Sequence, residues 1–136
     1  MIFPDANLCC TPTTRRAPFH ARAVASWQEC LSGMEPVGLM APVLFSFVKI
    51  GTGSGAFVRP MSVNAAAGHV RKWLERPVVS LVEMCREDVE RALDSLCRAG
   101  AGGNLTTDAQ LAAVAIRRRA VVHNSDSDFG RFPDVA

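Results

Sequence analysis

Apolar residues in this chain follow two rhythms, short blocks and longer stretches in which they recur every three or four positions. Short blocks bounded by turn formers read as strands, and the 3.6-residue rhythm reads as helix. Residues 1–3 open a strand that Pro4, Asp5, Ala6 and Asn7 break, which puts Asp5 at a strand tip. After a Pro- and Arg-bearing loop over 11–18, residues 19–31 space Ala23, Trp27 and Leu31 as one helix face, with Gly33 as the stop. Residues 36–39 read as a second strand. Residues 42–50 read as a helix burying Leu44, Phe47, Val48 and Ile50.

The glycine run at 51–55 lacks the full G-x-G-x-x-G spacing and follows a helix instead of a strand, so it reads as a connector and not as a dinucleotide loop. A helix over 62–76 places Val63, Val70, Trp73 and Leu74 inside and ends at Pro77. Residues 78–82 form the clearest apolar strand. Residues 86–99 form an amphipathic helix with Val89, Leu93, Leu96 and Cys97 on one face and Gly100 at its end. Thr106 or Thr107 caps a last helix running to residue 119, and a strand over 120–123 leads into the loop holding Asp126 and Asp128. Strands alternating with helices predict an α/β sandwich around a parallel sheet.

The 136 residues fit one domain, 1–136, with a single core. Apolar residues make up 49% and charged residues 21%, ordinary globular usage that excludes a disordered or fibrous chain. The net charge of +2 is too small to mark a nucleic-acid binder by itself. No run approaches the roughly 20 apolar residues that span a bilayer. The N-terminus reaches Asp5 before any basic residue, so no secretory signal is expected and a cytoplasmic location follows. The five cysteines show no C-x-x-C spacing and read as buried apolar residues, with no disulfide framework. His20, His69 and His123 lack metal-ligand spacing.

The chemistry concentrates in acids that lie far apart in sequence: Asp5, Asp108, and the pair Asp126 and Asp128. Each stands at the end of an apolar block or the start of a helix, and in an open parallel sheet such positions share one crevice. Taken singly, Asp108 reads equally well as a helix-capping charge, and Asp126 with Asp128 can shape a turn. Taken together they form an oxygen-only donor set suited to Mg²⁺ or Mn²⁺. Arg15, Arg16, Lys49, Arg59 and Arg131 could border such a crevice and track phosphates. The run at 117–119 complements the dipole of its helix.

The segments Met1-Ile-Phe-Pro-Asp-Ala-Asn-Leu, Phe19-His20-x-Ala-Arg-x-x-x-x-Trp27, Gly103-Asn-Leu-Thr-Thr-Asp-Ala-Gln-Leu and Ser125-Asp-Ser-Asp-Phe-Gly-Arg-Phe-Pro together resemble a PIN-domain ribonuclease of the VapC toxin type. The resemblance implies a three-layer α/β/α sandwich whose central, mostly parallel sheet has four to five strands. It implies a Mg²⁺-dependent endoribonuclease of a toxin–antitoxin pair, acting on RNA, neutralised by a VapB-type antitoxin and forming a homodimer. By the same resemblance Asp5, Asp108 and Asp126 are catalytic and metal-binding, Asp128 adds to the metal set, and Asn7 and Ser125 support it. Arg15, Arg16, Lys49 and Arg131 are the RNA-binding candidates. Where the family places a glutamate on the helix after the second strand, this chain has Ser46, with Glu35 a substitute only if its loop folds inward. The alternative is a weakly active or inactive PIN-like module that binds RNA or antitoxin.

Overall fold

The computed structural model describes residues 1–6, 20–53 and 60–123, apart from the side chains of 20–24 and 26. Strands β1 (Ile2–Pro4), β2 (Val37–Leu39), β3 (Val79–Leu81) and β4 (Val121–His123) alternate with helices α1 (His20–Ser32), α2 (Ala41–Thr52), α3 (Val63–Leu74), α4 (Arg86–Ala99) and α5 (Leu105–Arg118). The four strands form one sheet in the order β3-β2-β1-β4, with every pairing parallel. Ile2 pairs with Val37 on one side and Val121 on the other, and Pro4 lies opposite His123.

Ile2, Phe3 and Pro4 are all buried. Successive strand residues point to opposite faces, so burial of all three means that both faces of β1 are covered. This is the three-layer arrangement. The core joins Phe3, Val37 and Leu39 of the sheet to Val43 and Phe47 of α2 and to Leu111 and Val114 of α5. Ala109, Ala112, Ala113 and Ala115 are also buried in α5, and such small side chains let a helix approach its neighbours closely. Trp27, Phe47 and Trp73 knit α1, α2 and α3 by edge-on contacts at centroid separations of 5.2 Å and 4.7 Å.

Gly38 makes room for the centre of the sheet. A Cβ there would stand 2.6 Å from Cε1 of Phe3, so the Phe3 ring packs directly against the glycine.

The faces of three elements differ from expectation. Val63 is 65% exposed at the first turn of α3, where Ala66 and Trp73 take the interior. In α4 the interior belongs to Asp88 and Ala92, while Val89 and Leu93 face out. The strand at 79–81 lies at the sheet's edge and exposes Leu81. In each case the apolar spacing identified the element, but its contact face followed from neighbours distant in sequence. Among the described cysteines Cys30 is buried, whereas Cys85 and Cys97 are exposed.

Candidate active site

The sheet's strand order reverses between β1 and β4, because the chain first adds β2 and β3 on one side of β1 and then returns to the other. In parallel sheets such a switch point opens a crevice at the carboxyl ends of the two strands, since their connections leave in opposite directions. Asp5 follows β1 at that point and its carboxylate is buried, 3% exposed. The Asp5 N–H donates to the carbonyl of His123 at 2.9 Å, extending the β1–β4 ladder one step. The Ala6 N–H donates to Asp5 Oδ1 at 2.6 Å and holds the carboxylate in orientation. In sequence, residues 124–128 follow His123. Asn7, Arg15, Arg16, Arg59, Ser125, Asp126, Asp128 and Arg131 lie outside the described residues.

Asp108 stands half-buried in the first turn of α5, where the helix dipole favours a carboxylate. The expected threonine cap is absent. Asn104 occupies the N-cap without a side-chain bond, and Thr107 instead turns its hydroxyl to Ser46 of α2, at 3.3 Å. Ser46 therefore faces the start of α5. Lys49 is exposed three residues further along the same helix.

Glu35 cannot take the place of an acid on α2. Its Oε1 lies 3.4 Å from the N-terminal ammonium of Met1, at the starting edge of the sheet. Asp5 sits at the finishing edge, a three-residue strand of about 10 Å away.

Among the described residues no three His, Cys, Asp or Glu side chains gather as a metal-binding group. The two described acids of the predicted set contribute oxygen donors on ordered elements, a chemistry that fits a hard divalent cation.

A separate hollow of about 230 Å³ is lined by Ile2, Glu29, Cys30, Gly33, Met34, Glu35 and His123, and contains neither Asp5 nor Asp108. There the Cys30 sulfur lies 3.8 Å from His123 Nδ1. Burial, and then the charges of Glu29 and Glu35, push the Cys30 thiol up. It is held protonated, unlike an activated nucleophile.

Sequence reasoning missed the role of Arg117. Its Nε donates to both carboxylate oxygens of Asp88, at 2.8 and 2.9 Å, and its Nη2 to the carbonyl of Glu83 at 3.2 Å. Asp88 also accepts from the Cys85 N–H at 2.9 Å, so one buried carboxylate caps α4 and anchors α5. The signal available in sequence was an Asp at the third position of α4, which a capping box favours.

The sequence pattern of the PIN domain matches residues 2–135. Ribonuclease VapC33 of Mycobacterium tuberculosis is 39% identical over 135 residues, covering 99% of this chain and 94% of its own. This chain belongs to the PIN-domain family, VapC type. Ribonuclease VapC37 of the same organism is 35% identical over the same spans. Among solved structures, the VapC20 sarcin-ricin loop cleaving toxin of Mycobacterium tuberculosis superposes with a TM-score of 0.74 at 20% identity, covering 96% of this chain and 93% of its own. VapBC2 from Rickettsia felis, solved bound to a DNA fragment from its promoter, gives 0.64 at 14% identity over 99% and 96%. At these identities the superpositions describe the VapC fold. No described helix is long and apolar enough to cross a membrane.

Proposed function

We propose that this VapC-type protein is a metal-dependent endoribonuclease toxin of a type II toxin–antitoxin pair, built as one PIN-like unit over 1–136 and acting in the cytoplasm. The observation that carries the proposal is its 39% identity to Ribonuclease VapC33 along 99% of the chain. The buried carboxylate of Asp5 at the sheet's switch point supports it.

In this reading Asp5, Asp108 and Asp126 would hold Mg²⁺, or Mn²⁺ in its place, with Asp128 adding to the set. A divalent cation there supplies Lewis-acid polarisation of a phosphoryl oxygen and lowers the pKa of water. Asp5 is oriented by the Ala6 N–H. Asp126 would orient the attacking water or a second ion, Asn7 and Ser125 would steady the carboxylates, and Arg15, Arg16, Lys49 and Arg131 would track the RNA phosphates. Water attacks phosphorus in line with the departing oxygen, forming one P–O bond as the other breaks, and the proton that water gives up passes through solvent to the departing alkoxide. The partner is a VapB-type antitoxin whose amphipathic segment occupies a groove of a VapC homodimer. The VapBC2 superposition supports a VapB-type partner.

The test is cleavage of end-labelled structured RNA by purified protein. We expect cleavage in Mg²⁺, none in EDTA, and a fall at acid pH as the carboxylates protonate. Asp5→Asn abolishes it. Cleavage that persists in a clean Asp5→Asn preparation rejects the mechanism.

A further inference from the structure

The contact between Ser46 and Thr107 links residues 61 apart in sequence and brings the middle of α2 to the first turn of α5. Both side chains are half-buried, and the surrounding face of α2 is apolar, with Val43, Leu44 and Phe47 in the core. Hydroxyls in such a setting lose water and need partners. A tether between two helices could be built from apolar atoms alone, so the choice of two hydroxyls calls for a polar task.

Helix capping is not that task. Thr107 sits at the third position of α5, its hydroxyl is turned to Ser46 and not to the helix start, and the N–H groups of Leu105 and Thr106 there donate to the carbonyls of Gly102 and Gly103. Each hydroxyl carries one hydrogen and two lone pairs. The pair uses one hydrogen, from either hydroxyl, and leaves the other for a further partner; the residue that follows Thr107 in sequence is Asp108. Successive helix residues are turned by about 100°, so the Asp108 side chain leaves the helix in the next sector round from Thr107.

We infer that Ser46 and Thr107 are positioning residues, whose paired hydroxyls fix the first turn of α5 and present one O–H to the Asp108 carboxylate or to water held by it. Helix α2 thus brings a neutral hydrogen-bond donor to the metal-binding edge. This rests on the metal-dependent reading above and adds a role for two residues that carry no charge. Partners of this kind change metal affinity because they orient the ligand and set its basicity, typically by 10–100-fold on removal.

The test is Mn²⁺ affinity measured by calorimetry on the full chain, with thermal melting as a check of folding. Ser46→Ala and Thr107→Val are each expected to weaken Mn²⁺ binding by about 10-fold, and the double variant by no more than either single one, because the hydroxyls act as a pair. Ser46→Thr restores affinity near that of the wild type. Folded Ser46→Ala and Thr107→Val proteins that bind Mn²⁺ as tightly as the wild type overturn the inference and leave the ribonuclease reading standing. A wild type that binds no Mn²⁺, or Asp5→Asn and Asp108→Asn variants that bind it undiminished, overturns the metal-dependent reading and this inference with it.

Discussion

Asp5 is an acid that the fold places in the interior, two residues after a phenylalanine that is itself fully buried. The position of Phe3 depends on Gly38, since the ring occupies the space of the missing Cβ. Gly38→Ala forces contacts of 2.6 and 2.8 Å on Phe3 ring atoms at the centre of the sheet. Overpacking at such a site costs about 2 kcal/mol. We expect a lower urea midpoint with an unchanged slope, and an unshifted midpoint would show that the ring yields freely. The position of Asp5 at a strand end was legible in sequence, because turn formers follow the apolar block at 1–3. The contact of Ser46 with Thr107 was not, since nothing in either segment encodes the other's position.

At the scale of elements, α4 and α5 are joined through Asp88 and Arg117. Burial alone would push the Asp88 carboxyl up, but hydrogen bonds from Arg117 and Cys85 and the guanidinium charge outweigh it and hold the group below the ordinary carboxylate range. A carboxyl lowered in the folded state stabilises the protein above its unfolded pKa, and that stability is lost as pH falls through the folded value. The contribution is therefore full at neutral pH and drains away below about pH 4. Arg117→Met leaves the buried Asp88 carboxylate without its cation and is expected to lower the urea midpoint at pH 7. The deficit shrinks on the acid side, as read from urea midpoints across pH. A deficit independent of pH would mean that Arg117 acts through packing alone. Element boundaries followed local signals closely, as with Gly100 ending α4 in a left-handed conformation. Which face of α4 turned inward did not, because a paired Asp88 displaced the apolar stripe of Val89 and Leu93 from the core.

For the whole molecule, the parallel order β3-β2-β1-β4 sets Asp5 beside His123, the end of β4. An ion that binds only the folded site stabilises it by mass action, about 2.7 kcal/mol at 100 times its dissociation constant. Saturating Mn²⁺ is expected to raise the melting temperature by several degrees, with no rise in Asp5→Asn. Equal rises in both proteins would place the ion elsewhere. By itself the sequence determined the alternation of strands and helices, the acids at their ends and the likeness to VapC proteins, because periodicity, breakers and short motifs are local properties of the chain. Tertiary structure alone decided that Glu35 stands at the far edge of the sheet, that Ser46 meets Thr107 and that Arg117 holds Asp88. Those outcomes depend on the order in which strands assemble and on how helices turn against the sheet, and neither is written in any one segment.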